Sequence, residues 1–306
     1  MKRVNISVLI TSYNHAHFLS ECLDAVFNQS VLPLEVIVID DASTDQSVDL
    51  IHEYQKSHPE LILLKNETNQ GPAIAMNRAI HHAKGKYIAL AASDDQVLPR
   101  FFELGASYLD ANPEVGICCS NSSMFKNIKP YFFWEFKVSH ENHPTFISPI
   151  DMKNRILFTS LWIPTNASLY RRDLVLKYGC LDDSLKHLCD WFLNYKIALN
   201  HGILYVPHSF GACRLLPQSY GAKWSRSYWR KIEIYQKLFK VLSQEPASFQ
   251  ENFCQAGLLG LISADVLLYL FSHFSLWKYL PRAFYRKTFN LFRKIHRSVK
   301  HHQIKF

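Results

Sequence analysis

Short apolar runs alternate with helical patterns through the first third of the chain. The apolar runs, rich in Val, Ile and Leu, predict strands at 4–10, 34–39, 61–64 and 87–91. Between them, apolar residues that recur every three or four positions predict helices at 17–28, 45–57 and 72–83. Strands that alternate with helices in this way favour a parallel sheet covered by helices on both faces. We therefore expect an α/β fold with a doubly wound, mostly parallel sheet.

The pattern changes in the rest of the chain. After a helix that ends at residue 110, we expect strands at 115–120 and 166–170, an irregular aromatic loop at 126–149, and helices at 148–158 and 190–200. No strand pattern follows residue 222, and helices are predicted at 227–243, 249–271 and 281–301. These patterns predict a first domain at 1–222 and a helical C-terminal extension at 223–306.

The apolar stretch 257–280 is nearly long enough to cross a membrane. It carries Asp265, together with His273 and several serines. Because a charged group is costly at the centre of a bilayer, we favour a packed helix over a membrane span.

The basic charge of the chain is concentrated at its C-terminal end. The sequence has 34 Lys and Arg against 26 Asp and Glu, and nine of the basic residues but no acidic residue lie from Lys278 to Phe306. The remainder is therefore close to neutral, which argues against a nucleic-acid groove. The apolar and basic residues of this tail fit either a solvated basic helix or a helix that lies on a membrane surface.

Seven cysteines occur without any CxxC pair, and their odd number favours a reduced, cytoplasmic chain. The apolar run 6–10 is too short for the core of a signal peptide. We therefore expect a cytoplasmic protein, with peripheral contact to the inner face of the cell membrane through the basic helix of the tail.

Two adjacent carboxylates, Asp94 and Asp95, follow the predicted strand 87–91. Ligands of open α/β sheets bind at the carboxyl ends of the strands. Neighbouring carboxylates repel each other unless a cation or a proton lies between them. The pair therefore predicts a divalent metal site that serves a phosphate, with a solvated turn as the alternative.

Polar residues follow the other predicted strands at the same edge, and a nucleotide fits among them. Tyr13 can stack on a base, and Asp41 can accept a hydrogen bond from the N–H of that base. Asp94 can bind a ribose hydroxyl, and Asp95 can coordinate a metal that bridges two phosphates. Neither a GxGxxG motif nor a P-loop lysine motif occurs, which counts against a dehydrogenase or an NTPase.

Four segments together resemble the nucleotide-binding half of family 2 glycosyltransferases of the GT-A fold, namely 7–14, 40–45, 69–79 and 93–95. Three later segments, 165–172, 179–193 and 205–214, resemble the acceptor side and the region of the catalytic acid. The resemblance implies inverting transfer of a sugar from a nucleoside diphosphate sugar, commonly a uridine one. The acceptor would be a hydroxyl of a glycan or of a lipid-linked acceptor in surface polysaccharide synthesis.

The resemblance also implies roles for further residues. It places Thr11, Gly71 and Asn77 with the nucleotide, and a Mn²⁺ or Mg²⁺ ion on the diphosphate. It places Asn166, Trp191 and Arg214 on the acceptor side.

Asp190 is the predicted catalytic base. It comes directly before the apolar helical segment 191–199, where the helix dipole favours an ionised carboxylate that can take a proton from an incoming hydroxyl. The resemblance supports this role, and the alternative is a simple helix cap. Cys189 stands where the family often has an acid.

Two other functions fit parts of the sequence. A glycosyltransferase-like module without catalysis would bind a nucleotide or a glycan, and Cys189 is the feature that favours it. A nucleotidyltransferase shares the sheet, but the loop after the first strand lacks the Gly-rich basic pattern expected of that class.

Overall fold

The computed structural model describes residues 2–126, 131, 133–159, 161–225, 227–262 and 265–288. The chain divides into two compact units, each of which combines two segments. The first, called the sheet unit below, comprises Met1–Ile147 and Ile163–Tyr220. The second, called the helical unit, comprises Ser148–Trp162 and Gly221–Phe306.

The sheet unit is built on one ten-stranded sheet. Its strands in chain order are β1 (Arg3–Ser12), β2 (Leu32–Asp40), β3 (Leu61–Lys65), β4 (Tyr87–Ala92), β5 (Gln96–Val97), β6 (Ile117–Lys126), β7 (Phe133–Phe136), β8 (Thr145–Ile147), β9 (Ser168–Arg171) and β10 (Ile203–Leu215). The spatial order is β3-β2-β1-β4-β9-β6-β10-β5, with β7 on β6 and β8 on β10.

Helices follow most strands of the sheet unit. They are α1 (Ala16–Phe27), α2 (Ser47–Gln55), α3 (Pro72–His82), α4 (Phe101–Ala111), α6 (Arg172–Lys177) and α7 (Cys189–His201), with 3₁₀ turns at Thr165–Ala167 and Asp183–Leu188. The helical unit contains α5 (Pro149–Thr159), α9 (Tyr228–Gln244), α10 (Ala247–Gln255) and α11 (Asp265–Phe271), with 3₁₀ turns at Leu258–Leu261 and Phe274–Tyr279. The short helix α8 (Tyr220–Ser225) joins the two units along the chain, and residues 280–288 are helical.

The α/β fold with C-terminal helices is confirmed. Strands β3, β2, β1 and β4 run parallel, as the alternation of strands and helices predicts. Strand β9 runs antiparallel to both β4 and β6, so the other half of the sheet is mixed. Fully buried Val, Ile and Leu side chains of β1 and β2 form the centre of the core, because helices cover both faces there.

Some elements differ from the sequence-based expectation. The segment 126–149, expected to be an irregular loop, contains β7 and β8, and the thirteen-residue strand β10 was not predicted. The helix predicted at 249–271 is interrupted after α10, where Gly257 adopts a left-handed φ of +63°. A side chain at that position would be strained.

The helix predicted at 281–301 is observed as far as residue 288, and its remainder lies outside the described residues. Within the described part of the chain, no helix has both the length and the apolar character needed to cross a membrane.

Candidate functional site

The carboxyl ends of β1, β2 and β4 bring three polar loops to one edge of the sheet. Thr11 pairs with Ala92 in the register, so β1 and β4 end at the same level. Beyond that pair, the Ser93 N–H donates to the Thr11 carbonyl (3.1 Å), and the Asp41 N–H donates to the Ser12 carbonyl (2.9 Å). The loops that carry Tyr13, Asp41 and Asp94 therefore leave the sheet side by side, as predicted from the strand pattern.

Asn14 fixes the loop after β1 to the loop after β2. Its Oδ1 accepts from the Thr44 N–H (2.8 Å), and its own N–H donates to Ser43 Oγ (2.9 Å). Tyr13, the preceding residue, is 44% exposed at this edge. Its ring is available for stacking, and its contact with a base stays a prediction.

Asp41 fixes the loop that leads into α3. Its carboxylate accepts from Asn66 Nδ2 (2.7 Å), from the Gln70 N–H (3.0 Å) and from the Gly71 N–H (2.8 Å). Gly71 adopts a φ of +91°, which favours glycine and lets its N–H point at the carboxylate. Asp41 is buried, and any further hydrogen bond to a nucleotide base stays a prediction.

Asn77 turns its amide toward the backbone of Leu181. Asn77 Nδ2 donates to the Leu181 carbonyl (2.7 Å), and the Leu181 N–H donates to Asn77 Oδ1 (2.9 Å). The residue thereby fixes α3 to the segment before α7. Its predicted nucleotide contact would use an amide that already has two partners.

The acidic pair lies in the turn that follows β4. Asp94 and Asp95 are half-buried, and Asp95 Oδ1 accepts from the Arg214 N–H (3.0 Å). Burial, and then the negative charge of Asp94, raises the pKa of Asp95 to about 7. A positive charge at this place would therefore be favourable.

The Arg214 side chain lies beside the acidic pair. Its Nε donates to the Asp94 carbonyl (2.9 Å), its Nη2 to Glu21 Oε2 (2.6 Å) and its Nη1 to the Tyr131 hydroxyl (2.9 Å). The residue is 3% exposed. This position is on the donor side of the predicted site, and the acceptor role expected for Arg214 stays a prediction.

Two aromatic rings enclose the same guanidinium group. Its central carbon lies 4.4 Å from the ring centroid of Phe18 and 4.6 Å from that of Phe125. Sequence reasoning missed Glu21 because it sits on α1 among apolar residues, and nothing in the local pattern links it to residue 214.

His15 is a second residue at this edge that the sequence analysis missed. Its Nδ1 lies 2.9 Å from Ser93 Oγ, next to the acidic pair. Burial lowers the pKa of His15, and the charge of Asp94 opposes this shift. The only available sequence signal was its place directly after the Tyr13-Asn14 pair.

Asp190 lies in the first turn of α7 and does not cap it. The N-cap position belongs to Leu188. Asp190 Oδ2 accepts from Thr165 Oγ1 (2.7 Å), and Oδ1 accepts from the N–H of Trp191 (2.8 Å). Thr165 therefore orients a half-buried carboxylate.

The 3₁₀ turn Thr165–Ala167 connects Asp190 to the edge with the acidic pair. This turn contacts β4, β10 and α7. A Cβ on Gly211 would lie 2.2 Å from the Asn166 carbonyl oxygen, so only glycine permits this approach. Gly211 pairs in turn with Val97, two residues beyond Asp95. These contacts form a continuous path between the predicted base and the predicted metal site.

The other two predicted acceptor-side residues differ in their surroundings. Asn166 Oδ1 accepts from Ser122 Oγ (3.2 Å), whereas its buried Nδ2 has no partner among the described residues. Trp191 is 3% exposed and packs edge-on against Tyr195, with ring centroids 5.4 Å apart. Trp191 thus belongs to the interior of the sheet unit, and both acceptor roles stay predictions.

The acidic pair fits a divalent cation that arrives with a phosphate ligand. Across the described ranges, no group of three or more His, Cys, Asp or Glu side chains could hold a metal ion. Mg²⁺, however, is usually bound through one or two carboxylates and completes its shell with water and phosphate oxygens. Asp94 and Asp95 supply such oxygens, and the raised pKa of Asp95 indicates a place where added positive charge is stabilising.

Comparisons with known proteins agree with this geometry. The family model described as "Glycosyl transferase family 2" matches residues 7–179. An uncharacterised glycosyltransferase of Methanocaldococcus jannaschii is 30% identical over 169 residues, which are 51% of this chain and 58% of that protein. The poly(ribitol-phosphate) beta-glucosyltransferase of Bacillus spizizenii is 38% identical over 97 residues, which are 31% of this chain and 15% of that protein. The matches therefore span less than two thirds of the length of these relatives.

Two solved structures are similar over almost the whole chain. TarS 1–349 of S. aureus in complex with UDP-GlcNAc has a TM-score of 0.61 at 17% identity and covers 96% of this chain and 92% of that one. The mannosyltransferase PcManGT from Pyrobaculum calidifontis, in complex with GDP-Man and Mn²⁺, has a TM-score of 0.56 at 18% identity, with 95% and 87% covered. At these identities the similarity shows a shared fold.

Proposed function

We propose, because the chain belongs to glycosyl transferase family 2, that it moves a sugar from a nucleoside diphosphate sugar to a hydroxyl of a glycan or a lipid-linked acceptor. The observation that carries this proposal is the edge where Asp94, Asp95 and the Thr165–Asp190 pair meet through directly contacting elements. A uridine diphosphate donor is proposed, and TarS, which has been solved with UDP-GlcNAc, supports it by its fold. Surface polysaccharide synthesis is the proposed context.

Donor binding is assigned to the loops after β1, β2 and β4. Tyr13 stacks on the base, and Asp94 accepts from a ribose hydroxyl. Thr11, Asp41, Gly71 and Asn77 shape the same crevice, with Asp41 and Gly71 joined by a hydrogen bond. Tyr13, the most exposed of these, is supported by its free ring.

Asp95, with Asp94 beside it, holds the divalent ion. When bound, Mn²⁺ or Mg²⁺ supplies positive charge that stabilises the leaving diphosphate. Arg214 supports the turn that carries both carboxylates, since it binds the backbone of Asp94 and the side chain of Asp95.

Asp190 acts as the general base. It takes the proton of the acceptor hydroxyl as that oxygen forms a bond to the anomeric carbon of the sugar. The bond from the anomeric carbon to the diphosphate breaks, and its electron pair leaves with the nucleoside diphosphate. A single displacement of this kind inverts the anomeric centre. Asn166 and Trp191 belong to the acceptor side of this proposal.

The variant Asp190→Asn tests the assignment of the base. We expect transfer to fall by about 10²-fold or more, because the amide cannot take the proton, while affinity for the donor stays unchanged. Transfer to an acceptor extract and donor binding by calorimetry are measured together. Asp173→Asn, an exposed acid at the start of α6, is the control and should behave as the wild type.

Other outcomes of that experiment point to other functions. Unchanged transfer in Asp190→Asn would contradict the base. A wild-type protein that binds the donor but neither transfers nor hydrolyses it would instead be the inactive binding module that Cys189 suggests. Release of pyrophosphate from a nucleoside triphosphate would indicate a nucleotidyltransferase.

The helical unit is proposed to rest on the inner face of the cell membrane, in the cytoplasm. Phe271, Phe274 and Trp277 are exposed and adjacent, with the Phe274 and Trp277 ring centroids 4.9 Å apart. Exposed Lys278 and Arg282 follow them. Aromatic side chains flanked by bases suit an anionic lipid surface. The basic tail beyond residue 288 lies outside the described residues, and its part in membrane contact is an extension of this proposal.

A further inference from the structure

Three residues behind Asp190 form a directional hydrogen-bonded chain. Tyr170 donates its hydroxyl to Asn194 Oδ1 (2.9 Å), and Asn194 Nδ2 donates to Thr165 Oγ1 (3.1 Å). Thr165 Oγ1 then donates to Asp190 Oδ2 (2.7 Å). The chain begins on β9, passes through α7 and returns through the 3₁₀ turn that precedes β9.

The orientation of the Asn194 amide is fixed by a fourth group. The Ile163 carbonyl oxygen can only accept a hydrogen bond, and it lies 3.2 Å from Asn194 Nδ2. The amide nitrogen therefore faces Ile163 and Thr165, and the amide oxygen faces Tyr170. An amide flipped the other way would set two oxygens against each other.

This orientation determines where the proton of Thr165 goes. Because Thr165 Oγ1 already accepts from Asn194, its own proton is directed at Asp190. Tyr170 remains a donor, since burial, as the largest cause, raises its pKa. Tyr170 is fully buried and Asn194 is 2% exposed, so bulk water does not compete for either group.

We propose that Thr165 and Asn194 are positioning residues for the base, and that Tyr170 sets their direction. The hydroxyl of Thr165 holds the Asp190 carboxylate in one rotamer and favours its ionised form, the form that a general base requires. The inference rests on the proposed function of Asp190. It also names what holds the base where Cys189 replaces an acid.

The test is the pH dependence of transfer in Thr165→Val and Thr165→Ser. Other titratable groups around Asp190 are Cys189 on its own helix, Tyr170 on β9 and Asp183 on the preceding turn, and none is altered. For Thr165→Val we expect the acid limb of the kcat profile to move up by about one pH unit. The expected loss of kcat is about tenfold with little change in the donor KM. Thr165→Ser restores both values, because serine keeps the donor.

Tyr170→Phe extends the test to a residue that does not touch Asp190. Removal of its hydroxyl frees the Asn194 amide, so the acid limb should move in the same direction by a smaller amount. Tyr87→Phe is the matched control, since Tyr87 is equally buried but donates to Asp110. That control should lose stability without any change in the pH profile.

The outcomes separate this inference from the proposed function. If Asp190→Asn abolishes transfer while Thr165→Val leaves the acid limb in place, the positioning role is wrong and the base stands. If Asp190→Asn remains active, the base itself is wrong. If Thr165→Val and Tyr87→Phe lose activity alike with unshifted profiles, the effect is one of stability and the inference fails.

Discussion

Asp95 is the residue whose charge costs the free protein most clearly. Its carboxylate is held between a buried turn and the negative charge of Asp94, and its pKa rises from 3.8 to about 7. In the folded state it therefore keeps a proton that the unfolded chain has already lost. Stability from this group is full at acidic pH and is lost as the pH rises through about 7.

The substitution Asp95→Asn removes that penalty. We expect the variant to exceed the wild type in Tm at about pH 8 and to lose most of this advantage at about pH 5, because the carboxylate is then protonated. Scanning calorimetry without divalent metal measures both differences. Asp49→Asn, which changes an exposed acid on α2, should show no such pH dependence. An equal gain at both pH values would contradict the electrostatic account of the pair.

Single residues also show where sequence reasoning stops. The acidic pair and Asp190 were predicted because each follows a recognisable strand or precedes a helix. Arg214 was assigned to the acceptor side, but it lies beside the acidic pair and binds Glu21, a residue 193 positions earlier in the chain. A contact of that separation leaves no trace in local periodicity. The role of Thr165 was missed for the same reason, since its partners lie on α7.

At the scale of elements, the continuous apolar strands were predicted and the irregular ones were not. Strands β1 to β4 are buried on both faces and therefore appear as short apolar runs. Strand β10 carries Pro207, His208 and Ser209, and its register with β6 shifts twice around them. These bulges break the alternation that would have marked it as a strand. Strands β7 and β8 are short and pair only with β6 and β10, so their aromatic sequence resembled a loop.

Strand β10 brings Arg214 to the acidic turn, so this side chain should matter for stability. Arg214→Leu is expected to destabilise the protein by about 3 kcal/mol, because it breaks a buried ion pair and removes support from Asp94. Urea denaturation measures this loss. Arg230→Leu on the exposed side of α9 should stay within about 0.5 kcal/mol of the wild type. Equal effects of the two substitutions would show that Arg214 has no special structural role.

At the scale of the whole molecule, the chain combines a sheet unit that carries the candidate site with a helical unit that carries exposed aromatic residues. Sequence patterns predicted the order of these parts along the chain. The contribution of Ser148–Trp162 to the helical unit is a tertiary property that periodicity does not report.

Membrane contact is tested on the helical unit with the double substitution Phe274→Ser and Trp277→Ser. We expect binding to vesicles that contain phosphatidylglycerol to fall by about tenfold or more, because two large apolar side chains no longer enter the lipid. Co-sedimentation measures the bound fraction. Trp229→Ser on α9, where the tryptophan is 78% exposed, is the matched control and should bind as the wild type. Equal loss in the control, or self-association that the double variant removes, would contradict lipid binding at Phe274 and Trp277.

The central claim is that the acidic turn after β4 holds a divalent cation together with a nucleoside diphosphate. Isothermal titration of UDP into the protein, with and without Mn²⁺, tests it most directly. The account predicts a binding heat that requires Mn²⁺ in the wild type and in Asp49→Ala but is absent in Asp95→Ala. Binding of UDP to Asp95→Ala with the same dependence on Mn²⁺, or no binding to the wild type with both ligands present, would contradict it.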